Sequence, residues 1–273
     1  MSGSTYASTY FVRPTAQFGA GELIDGYEGN GRTYKEVSYN DAARSIISSV
    51  DLRSGELKVY VEEQSAPQGA WGNAIMGETI TIRNGAGTNW DFGFGMDGTF
   101  DAIGGPVAPG ANQGMLMYDL AFAVYRPGQV DYSNWFGRAQ TADDGIDPLF
   151  FDYIVDYIPV GGEDYYDSIY ESIMGSLALE SDYEQFEIYA KIYAGGYTNV
   201  GGGLDSYVAD FSHTATIDFN FAQGVTAHSA SGEFLGLLND PNVVSVPEPG
   251  SLILLLAGMM GLLGIRRRSF FRV

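Results

Sequence analysis

An all-β chain, built as an antiparallel two-sheet β-sandwich of jelly-roll-like form, is predicted by three features of this 273-residue sequence. Its 37 glycines, 19 tyrosines and 16 phenylalanines suit short strands joined by tight turns, since aromatics favour strands and glycine accepts positive φ. Apolar and polar residues alternate at period two in several runs, the mark of a half-buried strand. Charged helix formers are few, with Asp, Glu, Lys and Arg together at 18%.

The clearest alternation is Leu57, Val59 and Val61 against Lys58, Tyr60 and Glu62. It recurs at Phe186, Ile188, Ala190 and Ile192 against Glu187, Tyr189, Lys191 and Tyr193, and at Ala215, Ile217, Phe219 and Phe221 against Thr214, Thr216, Asp218 and Asn220. Each run is expected to bury one face only. Arg53-Ser54-Gly55 is the turn that joins Ile46–Leu52 to Leu57–Val61, and Met96-Asp97-Gly98 is the turn that ends the aromatic run Trp90–Phe94. Hairpins are thus the expected unit. Further strands are expected at Thr79–Arg83, Met115–Tyr125, Leu149–Ile158 and Ile169–Leu179, about ten in all. Asp41–Ser49, capped by Asn40, and Tyr165–Leu179 are open to a helical reading as well. No fixed-period repeat is present, which argues against a propeller or solenoid.

An apolar content of 45% can fill a core. Fourteen basic against 34 acidic side chains give a net charge of −20, which repels phosphate backbones, so no nucleic acid partner is expected. The absence of cysteine excludes disulfides, thiolate metal sites and cysteine nucleophiles.

Charge is sorted at the C-terminal end as it is at a membrane. Val246-Pro247-Glu248-Pro249-Gly250 precedes an uncharged stretch, Ser251–Ile265, and then Arg266, Arg267 and Arg268. Fifteen residues make a helix of about 22 Å, short of a ~30 Å hydrocarbon layer, so a short transmembrane helix at 251–265 reads as a temporary anchor. By the positive-inside rule the arginines stay cytoplasmic and the preceding chain lies outside. The domain organisation is then a β-sandwich ectodomain at 1–239, a linker at 240–246 opened by the turn Asn239-Asp240-Pro241-Asn242, and a tail at 247–273.

Val246-Pro247-Glu248-Pro249, the apolar Leu252–Ile265 and Arg266–Arg268 closely resemble the PEP-CTERM sorting signal of bacterial exosortase substrates, a segment also labelled after ice-binding proteins. The resemblance covers about a tenth of the chain. It implies that an exosortase reads and cuts the tail, that membrane lipid holds its helix, and that the product ends on the cell surface or in an extracellular matrix of polysaccharide. Pro247 and Pro249 hold the flanking backbone extended and present Glu248 on a strand-like segment. Such a route implies an export leader, yet Met1–Gly21 has no apolar core and one positive charge, Arg13, so the leader is expected ahead of Met1. Asp205–Leu235 is similar to the last strands of β-sandwich domains found upstream of such tails, which implies a fold only.

No catalytic constellation stands out, and the chain is expected not to be an enzyme. Asp143, Asp144 and Asp147, then Asp152 and Asp156, then Glu163, Asp164 and Asp167 form acidic clusters. Calcium is the ion they would suit, but the spacing does not match a calcium loop, so no metal or cofactor is expected. A polysaccharide-acting hydrolase would need two facing carboxylates, and none of these pairs is singled out. His213 shares the inward parity of Ala215 and Ile217, and His228 lies in a short polar run. Thr79/Thr81 and Thr214/Thr216 are two isolated threonine pairs where ice binding would need a flat array. Tyr60, Tyr189 and Tyr193 face outward by parity and, with Trp71, Trp90 and Trp135, offer a sugar-stacking surface. The expected role is an exported structural or adhesive ectodomain, with a carbohydrate- or ice-binding module as the alternative.

Overall fold

A computed structural model describes residues 10–19, 22–64, 69–109, 113–130, 146–197 and 202–234. The chain divides into two units, Met1–Gly236 and Leu237–Val273, and every described residue belongs to the first. These residues contain no helix; they form fourteen strands in two antiparallel sheets. In chain order the strands are β1 (Tyr10–Phe18), β2 (Glu22–Asp25), β3 (Glu28–Gly29), β4 (Tyr34–Asn40), β5 (Arg44–Asp51), β6 (Glu56–Glu63) and β7 (Ala70–Arg83). Then come β8 (Asn89–Ile103), β9 (Gly114–Tyr125), β10 (Phe150–Val160), β11 (Tyr165–Ala178), β12 (Tyr183–Tyr197), β13 (Ser206–Phe221) and β14 (Thr226–Ser229). The first sheet has the order β10-β9-β12-β7-β1-β2, with β14 beside β7 and β3 beside β1. The second has the order β11-β8-β13-β6-β5-β4.

Hairpins are only part of the plan. The chain makes β4–β5–β6 as a meander and β9–β10 as a pair, but from β6 onward most connections cross from one sheet to the other. Inward side chains from both sheets form one core, in which Leu57, Val59 and Val61 of β6 are fully buried as their alternation demands. The turn at Gly55 has φ +69°, and β5 pairs with β6 from Asp51↔Glu56 onward.

Four sequence expectations are corrected here. Asp41–Ser49 is not a helix: Asp41 Oδ1 accepts the N–H groups of Ala43 and Arg44 at 2.8 Å each, a cap-like bond used to close the β4–β5 turn. Tyr165–Leu179 is not a helix either, since β11 pairs with β8 without a break from Tyr165↔Ala102 to Ala178↔Asn89. Met96-Asp97-Gly98 is not a turn. β8 runs straight through it, and a Cβ on Gly98 would overlap the Phe211 ring, so glycine stands there to admit an aromatic from β13. Finally, β12 buries both faces rather than one.

The inward series of β8 makes the aromatic centre of the core. The Trp90 ring lies 5.1 Å from Phe92, 5.2 Å from Phe186 and 5.2 Å from Phe219, tying β8 to β12 and β13. Tyr10–Phe18, part of the segment scanned for a leader, is the buried strand β1. Pro14 is tolerated there because its carbonyl accepts Gly26 N–H at 3.0 Å, so its nitrogen faces the same side, between β2 and β3.

Glu78 lies where β1 ends and β14 takes over beside β7, and it is fully buried. Its Oε1 accepts the N–H groups of Thr79 at 3.1 Å and Ser231 at 3.2 Å. Burial lifts its carboxyl to about 7 despite these bonds.

β10 and β11 are edge strands of opposite sheets, joined by a short turn. Asp152 and Asp156 in β10, and Asp167 and Glu171 in β11, share a face with core residues, being paired with Phe122, Tyr118, Phe100 and Met96 respectively. Core parity is therefore given to carboxylates along this side of the sandwich.

Candidate functional site

The three tyrosines read as a stacking surface are not brought together. Tyr60 lies on the second sheet, half-buried, donating to Glu62 Oε2 at 3.0 Å, and burial followed by that bond pushes its hydroxyl up to about 12. Tyr189 and Tyr193 lie on the first sheet. Tyr189 is fully buried, in a second apolar cluster with Phe11, Ile75, Ala123, Tyr125 and Val130. The cover comes from the chain that leaves β9, where Val130 packs into the cluster and Gly128 N–H donates to Glu187 Oε1 at 2.8 Å. Tyr193 is half-buried, with Lys191 Nζ 5.4 Å from its ring centre, and burial raises its hydroxyl pKa. Beside it, Lys191 Nζ meets Asp119 Oδ2 at 2.7 Å in a largely buried ion pair. Burial raises the Asp119 carboxyl while Lys191 opposes the shift. Trp90 is in the core, Trp71 donates to Gln17 Oε1 at 2.8 Å, and Trp135 is outside the described residues.

The remaining candidates are dispersed as well. His213 is not inward: β13 has a bulge between Phe211 and Ala215, which turns the side chain out to 75% exposure, 3.8 Å from Asp210 Oδ2. His228 is exposed on β14, in the other sheet. Thr79 is buried and Thr81 accepts from Gln185 Nε2 at 3.1 Å. Asp164 Oδ1 accepts Gly104 N–H at 3.1 Å, and Asp167 accepts the Tyr165 hydroxyl at 3.0 Å, so these acids serve the turn and the edge. Asp143 and Asp144 lie outside the described residues. Among the described residues no three His, Cys, Asp or Glu side chains are grouped to hold a metal ion.

A groove lies on the outward face of the second sheet. Three residues stand side by side in each row across β11, β8 and β13: Ser176, Asp91 and Asn220; Met174, Gly93 and Asp218; Ser172, Gly95 and Thr216. Gly93 forms the floor of this open groove of 660 Å³, whose walls include Asp91, Met174, Ser176, Asp218 and Asn220, and Gly95 is the next outward residue of β8 beyond it. Asp91 Oδ1 accepts from Ser176 Oγ at 2.6 Å and so joins the first row. The next outward residue along β11 is Tyr170, 77% exposed, and Met174 is 78% exposed. Sequence reasoning missed this groove because Gly93 lay inside an aromatic run, Trp90–Phe94, that it took to end in a turn at Met96-Asp97-Gly98. The signal was the residue type at alternate positions: Asp91, Gly93, Gly95 and Asp97 all share outward parity.

The sorting residues Val246, Pro247, Glu248 and Pro249, the helix read at 251–265, the linker at 240–246 and the arginines Arg266, Arg267 and Arg268 lie outside the described residues. No helix among the described residues is long and apolar enough to cross a membrane. No curated protein matches the chain. Residues 245–268 match the family model of the PEP-CTERM protein-sorting motif, a span that takes in the Pro-Glu-Pro triplet, the apolar stretch and the three arginines. The chain therefore carries, at its C-terminal end, the PEP-CTERM signal that exosortases recognise.

Proposed function

We propose that this is an envelope-sorted bacterial protein whose tail docks in the membrane and is cut by an exosortase, leaving a non-catalytic structural or adhesive ectodomain on the cell surface or in the polysaccharide matrix outside it. The observation that carries the reading is the sorting motif at 245–268, with its proline-flanked Glu248 ahead of the apolar stretch and Arg266–Arg268 behind. In this reading residues 251–265 span part of the bilayer and the arginines remain on the cytoplasmic side.

A reporter secreted with residues 240–273 at its C-terminus tests the delivery step. Its mass falls in cells that have an exosortase and stays at full length in cells lacking the enzyme. An identical mass in both strains overturns the reading. The second reading, a carbohydrate-binding module, is favoured by the groove over Gly93.

A further inference from the structure

The geometry points to the groove over Gly93, together with the glycine step at Gly95 beside it, as a binding site for a neutral polysaccharide chain laid along β8 on the outward face of the second sheet. This goes beyond the delivery step and names the ligand class of the adhesive ectodomain, on whose reading it rests.

The argument begins with glycines that the fold does not need. Gly98 and Gly175 make room for the rings of Phe211 and Phe92. At Gly93 the nearest atom to an added Cβ is the Ile173 carbonyl oxygen, 4.0 Å away, and at Gly95 it is the Glu171 carbonyl oxygen at 3.8 Å. Neither glycine has positive φ. Any small side chain would fit both positions, and a strand interior disfavours glycine, so packing gives no reason for the pair. A strand glycine that packing does not explain commonly sits at a bulge or bend or where a ligand approaches the backbone closely, and the β13 bulge falls beyond both glycines, opposite Asp97–Thr99. Alternate residues are about 6.7 Å apart along a strand, so the outward residues Asp91, Gly93, Gly95 and Asp97 give an exposed track long enough for an extended chain.

The chemistry of the walls selects the occupant. Asp91, Ser176, Asp218 and Asn220 in the groove, with Ser172 and Thr216 flanking Gly95 in the next row, offer carboxylate, amide and hydroxyl groups that pair with the hydroxyls of a sugar from either side. Met174 and the exposed Tyr170 supply an apolar flank for the C–H face of a pyranose ring. No lysine or arginine occurs anywhere in β8, β11 or β13, so an acidic polymer is repelled. Ring-sized floor, hydroxyl partners and apolar flank together favour an uncharged sugar chain over a polycation, which would need none of the last two.

The test is affinity electrophoresis of the full chain, purified in a polyoxyethylene detergent that carries no sugar. Native gels contain hydroxyethyl cellulose, galactomannan or dextran as neutral probes, alginate as the polyanion and DEAE-dextran as the polycation. At least one neutral polymer retards the protein, alginate does not, and Gly93→Val or Gly95→Val weakens the retardation at least tenfold while the thermal transition is kept. Where a valine variant does not melt cooperatively, the Asp218→Ala/Asn220→Ala pair is read in its place, with the same loss expected. Mobility unchanged by every neutral polymer, retardation by DEAE-dextran alone, or full retardation of the filled or double variants overturns the proposal. The measurement uses purified protein, so its failure leaves exosortase processing standing, and failure of the reporter experiment leaves the groove standing.

Discussion

The hydroxyl of Tyr207, which belongs to β13 in the second sheet, donates across the core to the backbone carbonyl of Ala70 in β7 of the first. The same oxygen accepts Gly196 N–H from β12 at 3.0 Å. The side chain is fully buried, and that burial raises its pKa well above the ordinary value. Backbone groups at the end of the β7–β12 pair thus depend on one tyrosine from the opposite sheet. Replacement by phenylalanine keeps the ring and removes the bonds. Tyr207→Phe is expected to lower stability by about 1–3 kcal/mol, the cost of leaving buried polar groups unpaired, as read from the urea midpoint at constant slope.

Glu78 gives the domain a predictable response to pH. Its carboxyl rises from 4.5 to about 7 on folding, so the folded state holds a proton that the unfolded chain has released between those values. Stability therefore falls as pH rises through that window, by up to about 3 kcal/mol for a fully realised shift. Glu63 moves the same way, to about 7, because burial outweighs the attraction of Arg44, 3.2 Å away. Glu78→Gln is expected to make the thermal midpoint less steep against pH between about 4.5 and 7, leaving the contributions of Glu63 and Asp119, whose carboxyls burial also raises.

Lys191 and Asp119 form the buried ion pair of the first sheet, with side chains 8% and 18% exposed. Lys191→Met strands the Asp119 carboxylate and is expected to cost about 3–5 kcal/mol. The double variant Lys191→Met/Asp119→Leu is expected to recover most of that loss, because an apolar pair of similar volume removes the desolvation cost on both sides. Chemical unfolding of the two single variants and the double closes the cycle.

Two glycines of one strand are expected to respond with opposite signs. Gly98→Ala drives a methyl group into the Phe211 ring and costs about 1–3 kcal/mol. Gly93→Ala meets nothing nearer than 4.0 Å. It is expected to raise stability by about 0.5–1 kcal/mol, since alanine loses less backbone freedom on folding. Thermal melts of the two variants give the comparison directly.

What the sequence made legible follows from where the covering atoms come from. Leu57, Val59 and Val61 were readable because one side of β6 is core and the other is solvent. Tyr189 was not, because its outward face is covered by Val130, which stands far from it in sequence. Asp41 was ambiguous for a local reason: the side-chain bond that caps a helix also closes a β-turn. Gly98 misled in the opposite direction, its purpose being set by a ring on a strand more than a hundred residues later. The glycine floor was visible only as a pattern once the parity of β8 was known.

Carboxylates occupy core parity at Asp152, Asp156, Asp167 and Glu171 along the two outermost strands of one flank. A second copy that added its own strand to β10 or to β11 would have to cover two acids on the core side of that edge, which disfavours the pairing. On this flank, growth of one molecule onto the next as a continuous ribbon is opposed by charge, so a contact made there calls for side chains rather than a shared backbone ladder.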